Sequence, residues 1–196
     1  MKDIIILGTD VHALEAADII KSIGKYNLLG VISQNEVDDD KFRSLSVLGG
    51  PSALNKYPRA LRVPLHVWKE REDKTNWTSV IAPSAFVSSS AEIGAGCIIY
   101  PNCFVGADAK IGAGVFILSG SVVNHDCVVG DGVVITSGVT LAGGVTVKTG
   151  AYLGQACTVK QNLTLGARCV VGMGAVVTRD VDDGATVTGC PARPHK

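Results

Sequence analysis

The adjacent pair His125-Asp126 is the clearest chemical signal in this sequence, and it sits in the run Asn124-His125-Asp126-Cys127-Val128-Val129-Gly130-Asp131. An imidazole changes charge near neutral pH, so it can take a proton from an attacking amine or hydroxyl. A carboxylate beside it can orient the ring or favour the protonated intermediate. His125 is the one histidine between Ile81 and Val177; His12 and His66 precede that stretch and His195 follows it. A single histidine cannot assemble a His-rich metal centre on this part of the chain, so no metal is expected. From the residues alone, His125 reads either as a general base or as surface decoration.

What positions the pair is a strict repeat. An aliphatic residue returns at every sixth position from Ile81 through Val123 and Val129 to Val177, without an insertion. Four places after each stands a smaller side chain, such as Cys97, Ala109, Ser121 or Cys127. A fixed hexapeptide period reads as a parallel β-helix in which three units close one triangular coil. His125 lies two residues after the inward Val123 and two before the inward Cys127, so its ring is expected to point outward. Gly94, Gly106, Gly112, Gly130, Gly154, Gly166 and Gly172 directly follow aliphatic positions. They are expected to form corners at positive φ. Five of the six cysteines occupy the small inward position and read as packing residues.

Ahead of the repeats, Asp3 to Leu7 reads as a buried strand ending at Gly8. Thr9 or Asp10 can cap a helix with apolar positions Ala13, Ala16, Ala17, Ile20 and Ile23, closed by Gly24, before a second strand from Leu28 to Ser33. This Rossmann-like βαβ opening lacks a glycine fingerprint, because Gly8 is followed by Thr9, Asp10, Val11 and His12. Asn35 to Lys41 reads as an acidic loop. Pro51 suits the start of a short helix to about Tyr57, and Pro64 makes Arg59 to Val67 an edge strand at best. The charged run from Lys69 to Trp77 reads as a solvated helix or linker, dividing a small α/β domain (1–77) from the β-helix and its tail (78–196). Pro191 and Pro194 stop the coil and suggest a tail folded back over its last edge.

The chain carries 18 Lys and Arg against 18 Asp and Glu, a balance that argues against an electrostatic nucleic-acid partner. The apolar run Ile4 to Leu7 is too short for a signal peptide, and nothing approaches a membrane span, so a cytoplasmic protein without membrane insertion is expected.

The repeats, the run from Asn124 to Asp131, the segment Leu141-Ala142-Gly143-Gly144-Val145 and the tail Gly189-Cys190-Pro191-Ala192-Arg193 together resemble the PglD/NeuD-type sugar acetyltransferases. These are hexapeptide acyltransferases with a left-handed β-helix. The resemblance implies a homotrimer that moves acetyl from acetyl-CoA to an amino group of a nucleotide-linked sugar, or to a hydroxyl of sialic acid. It assigns the base to His125 and its acidic neighbour to Asp126, and acetyl-CoA contacts to Val134, Gly143, Gln155 and Met173. It directs the acceptor to Gly8, Asp10, Val11, His12, Ser33 and Gln34. The family often has His where this chain has Val134, glycines where it has Asp10 and Val11, and an acidic pair where it has Ser33 and Gln34. Two other readings accompany the amino-sugar enzyme: acetylation of a non-nucleotide acceptor, and a β-helix scaffold without catalysis.

Overall fold

In a computed structural model, residues 1–34, 44–66 and 74–195 are described. The expected acidic loop and most of the charged run from Lys69 lie outside them. Strand β1 (Lys2–Leu7) is the centre of a three-stranded parallel sheet, flanked by β2 (Tyr26–Ile32) and β3 (Leu61–Pro64). Its Ile4, Ile5 and Ile6 are fully buried, as a central parallel strand requires. β3 runs at the edge and ends at Pro64, which pairs with Leu7. Pro64 can close this strand because an edge position tolerates the missing N–H.

Helix α1 (Val11–Ile23) begins where Asp10, in extended conformation, accepts a hydrogen bond from the His12 N–H at 3.0 Å. Such a cap contributes about 1 kcal/mol. Gly24 ends the helix in the left-handed region at φ 71°. The buried face is Ala13, Ala16, Ala17, Ile19 and Ile20. A short 3-10 helix follows at Pro51–Lys56. Helix α1 also packs against the first rung of the coil, Val80–Ile81.

From Val80 onward the chain is a left-handed parallel β-helix of about six turns. Two-residue rungs stack into three sheets, and each rung pairs with the one eighteen residues later, as Phe116 does with Val134 and Val128 with Thr146. Within each rung the second residue points inward: Val105, Val123, Leu141 and Val159 form one fully buried ladder. Cys97, Cys103, Cys127, Cys157 and Cys169 fill the other inward position as free thiols, and burial pushes each of them up in pKa. The tail strand Thr186–Thr188 extends the first sheet in parallel beyond Val170–Val171, and Arg193–Pro194 returns antiparallel along it.

One expectation about the corners is corrected. The glycines directly after the aliphatic positions are not those with positive φ; that conformation falls two residues later, at Gly96, Gly114, Gly132 and Gly144 and at Asn102, Asp108, Asp126 and Asn162. Gly94, Gly106, Gly130 and Gly154 are needed for space instead. A Cβ on Gly106 would stand 2.6 Å from the backbone nitrogen of His125 in the next coil.

Candidate active site

The turn carrying His125 is built from three coils. Gly106 below leaves room for its backbone, the Asp126 N–H donates to Ala107 O at 3.0 Å, and Gly144 N above donates to His125 O at 3.0 Å. The Asn124 amide group donates to Leu141 O at 2.8 Å, pinning the residue before the histidine. Asp126 takes the left-handed corner at φ 58°, a conformation Asp tolerates better than most residues. That corner turns its carboxylate onto the preceding side chain: His125 Nδ1 lies 2.7 Å from Asp126 Oδ2. A carboxylate at this distance suits the tautomer with its proton on Nδ1, whose lone pair is on Nε2.

Both side chains are about two-thirds exposed, at 67 and 64%. They line an open recess of about 230 Å³ with Gly143, Gly144, Gln161 and Asn162. A Cβ on Gly143 would meet His125 Cε1 at 2.6 Å and Nε2 at 2.7 Å, so glycine there lets the ring lie over the next coil. The eighteen-residue step from His125 to Gly143 and on to Gln161 could have identified Gln161 from sequence.

The expected acetyl-CoA contacts do not all meet in one chain. His125, Gly143 and Gln161 belong to one edge of the prism, whose backbone links run Gly144 N to His125 O and Asn162 N to Gly143 O. Gln155 and Met173 lie on another edge, linked by Gly138 N to Ser119 O, Ala156 N to Ser137 O and Gly174 N to Gln155 O. Met173 is 78% exposed. Val134 lies on the sheet between Phe116 and Tyr152.

At the strand-to-helix turn, Gly8 has φ 121° and packs on Leu65. Asp10 is occupied as the helix cap, and Thr9 Oγ1 lies 3.0 Å from Ser33 Oγ. Val11 is 62% exposed. Gln34 is at the limit of the described residues. Around His12 an aromatic group assembles that the sequence did not announce. The ring centroids of His66 and Phe116 lie 5.2 and 5.5 Å from that of His12, and Tyr100 places its hydroxyl 3.3 Å from His12 Nδ1. Burial and the neighbouring Glu15 push the Tyr100 phenol well above its ordinary pKa, keeping it a hydroxyl. A cavity of about 610 Å³ opens between α1 and the prism, lined by Glu15, Asp18, Ser22, Tyr100, Pro101 and Ser119 among others. Outside the repeats, Asp10, His12 and His66 bring ligand atoms within 4.8 Å of one another, a convergence that the sequence reading did not foresee.

Residues 108–143 match the model of the bacterial transferase hexapeptide family (six repeats). A search of curated proteins finds no match. Over its full length the chain superposes on PerB from Caulobacter crescentus, solved with CoA and GDP-perosamine, with a TM-score of 0.90, 27% identity and 98% of that chain covered. A histidine-to-alanine mutant of GDP-perosamine N-acetyl transferase from the same organism, with the same two ligands, gives a TM-score of 0.87 and 25% identity, covering 100% of this chain and 98% of that one. The acetyltransferase domain of PglB from Neisseria gonorrhoeae matches in fold, with a TM-score of 0.86, 24% identity and both chains covered at 100%.

Proposed function

We propose that this chain, built as the hexapeptide-repeat acyltransferases of the PglD/NeuD type are, transfers acetyl from acetyl-CoA to the amino group of a nucleotide-linked sugar, with His125 as general base. One observation carries the reading. His125 Nδ1 lies 2.7 Å from Asp126 Oδ2 and the pair lines an open recess, in a chain that overlays throughout on a protein solved with CoA and GDP-perosamine.

In the reaction, the neutral amine attacks the thioester carbonyl and a C–N bond forms. His125 Nε2 takes the proton of the attacking nitrogen while a backbone N–H stabilises the oxyanion. The C–S bond then breaks, CoA leaves as thiolate and the proton passes to it. Asp126 stabilises the imidazolium formed on the way. No acyl-enzyme and no metal take part in these steps.

Residues 78–196 hold acetyl-CoA and the base, and residues 1–77 hold the acceptor around Gly8, His12, Ser33 and Gln34. Val134, Gly143, Gln155 and Met173 contact acetyl-CoA across a groove between two chains. The separation of the His125–Gly143 edge from the Gln155–Met173 edge supports this, because a neighbouring prism can bring the two edge types face to face. A cyclic homotrimer satisfies that requirement for every copy. The exposed stack of Phe86 on Phe104, with centroids 5.2 Å apart, supports association of the prism faces. We place the enzyme in the cytoplasm, where acetyl-CoA is available; no helix among the described residues is long and apolar enough to cross a membrane.

The test is a turnover screen with acetyl-CoA, following release of the free thiol. Acceptors are UDP-, GDP- and dTDP-linked amino sugars beside the free amino sugars and sialic acid. N-acetylation of a nucleotide-linked amine is the expected result. Turnover of a free sugar or a hydroxyl acceptor alone would favour the non-nucleotide reading, and no turnover at all would favour a scaffold.

A further inference from the structure

The structure assigns a second chemistry to the junction of the two parts of the chain: we propose that Asp10, His12 and His66 form a three-ligand site for a divalent cation of the zinc class. Three elements bring them together. Asp10 caps α1, His12 lies in its first turn, and His66 follows β3, which pairing with β1 carries back beside the same turn. Their ligand atoms all lie within 4.8 Å of one another, so small rotations of the two rings reach metal-binding distance.

The details around these side chains suit an ion. Asp10 Oδ1 is used by the His12 N–H at 3.0 Å, whereas Oδ2 faces His66 Nδ1 at 3.7 Å. One carboxylate can therefore keep its cap and still ligate. His12 Nδ1 is taken up by Glu15 Oε2 at 2.8 Å and the Tyr100 hydroxyl at 3.3 Å, which leaves Nε2 as the nitrogen to ligate. A carboxylate behind a ligating histidine fixes the tautomer and strengthens the ligand. The Phe116 ring centroid lies 5.5 and 5.3 Å from those of the two imidazoles, packing an apolar ring beside both. Two imidazoles and one carboxylate suit Zn²⁺, Co²⁺ or Ni²⁺ rather than Mg²⁺, which prefers oxygen ligands. Three protein ligands leave the fourth position to water or an oxyanion. An ion here would also reverse the negative charge that Asp10 presents at the start of α1.

Calorimetry with Zn²⁺ alone tests this, on the full chain carrying Cys190→Ser and His195→Ala to remove the exposed thiol and the tail histidine. No acetyl-CoA or acceptor is present, so the result is independent of the proposed activity. One equivalent is expected to bind, and Co²⁺ in its place should give visible absorption typical of a low-coordinate site. His66→Ala should weaken binding by about 10² or more, and Glu15→Gln by roughly 10 to 100-fold through the ring it orients. Asp10→Asn retains a helix cap, so it reports ligation with the fold preserved, and it too should weaken zinc. Absence of binding, equal binding of Mg²⁺, or zinc binding unchanged by both His66→Ala and Asp10→Asn would overturn the assignment.

Discussion

The His125 ring occupies the space that a side chain at position 143 would fill: a Cβ on Gly143 would lie 2.6 Å from Cε1 and 2.7 Å from Nε2. The glycine and the imidazole are thus one unit, although eighteen residues separate them. Gly143→Ala should displace the ring while leaving the coil folded. A misplacement near 1 Å can cost about 10²-fold, so kcat/KM should fall by at least about 10-fold with an unchanged melting temperature. Steady-state kinetics beside a thermal melt check this; full activity would show that ring position is not limiting.

Removal of the base is the second test. His125→Ala should lower kcat by about 10² or more, the usual scale for a general base. Asp126→Asn should cost less. Asn tolerates the left-handed corner at φ 58°, so this variant removes the charge and keeps the backbone. Circular dichroism of both should match the parent, because both side chains are exposed and fill no core.

Gly106 fails a larger side chain for a different reason from Gly138. Its φ is not positive, but a Cβ would sit 2.6 Å from His125 N and 2.8 Å from Asn124 C, both backbone atoms. Gly106→Ala should destabilise by about 1–3 kcal/mol, as overpacking does. That lowers the melting temperature by roughly 2–4 °C per kcal/mol for a chain of this size. At Gly138 the nearest atom is 3.9 Å away and φ is 70°, so alanine costs conformational energy alone, about 1–2 kcal/mol. A thermal melt of the two variants separates space from conformation.

The thiols give a fourth prediction. Burial pushes Cys157 up to about 12, and Cys97, Cys103, Cys127 and Cys169 up as well, so at pH 8 all five are protonated as well as enclosed. Cys190 is exposed. Iodoacetamide should therefore add one label per native chain, at Cys190, and six after denaturation, counted by intact mass.

Sedimentation gives a fifth. Three chains per particle are expected at micromolar concentration, and a stable monomer with full turnover would refute the shared groove.

Much of this architecture was legible in the sequence because the repeat has one period and no insertions. The inward ladder through Val123 and Cys127, the Asp10 and Gly24 caps of α1 and the edge position of Pro64 all follow from local rules. The role of the corner glycines is not legible in the sequence, because a glycine can answer two needs, a positive φ or a missing Cβ, and spacing alone does not separate them. The meeting of His66 with Asp10 and His12 was not legible either. It depends on β3 pairing with β1 and on α1 docking near Phe116 and Tyr100, contacts between residues far apart in the chain. Likewise, a hexapeptide period tells inside from outside but does not say that Gln155 and Gly143 stand on different edges.

The eighteen-residue pairing step, seen in Phe116 with Val134, makes length in this molecule come in discrete quanta. Adding or deleting one whole coil above Leu165 would lengthen or shorten the prism and leave His125 at the same azimuth relative to α1. A change of one hexapeptide below His125 would instead turn the histidine by a third of a revolution, onto another edge. Such a chain would keep its ladders and its hydrogen bonds, and so its stability, while His125 faced away from the side of the prism that α1 packs on. The fold therefore permits indels that selection for activity would reject, and the tolerated ones should be counted in multiples of eighteen.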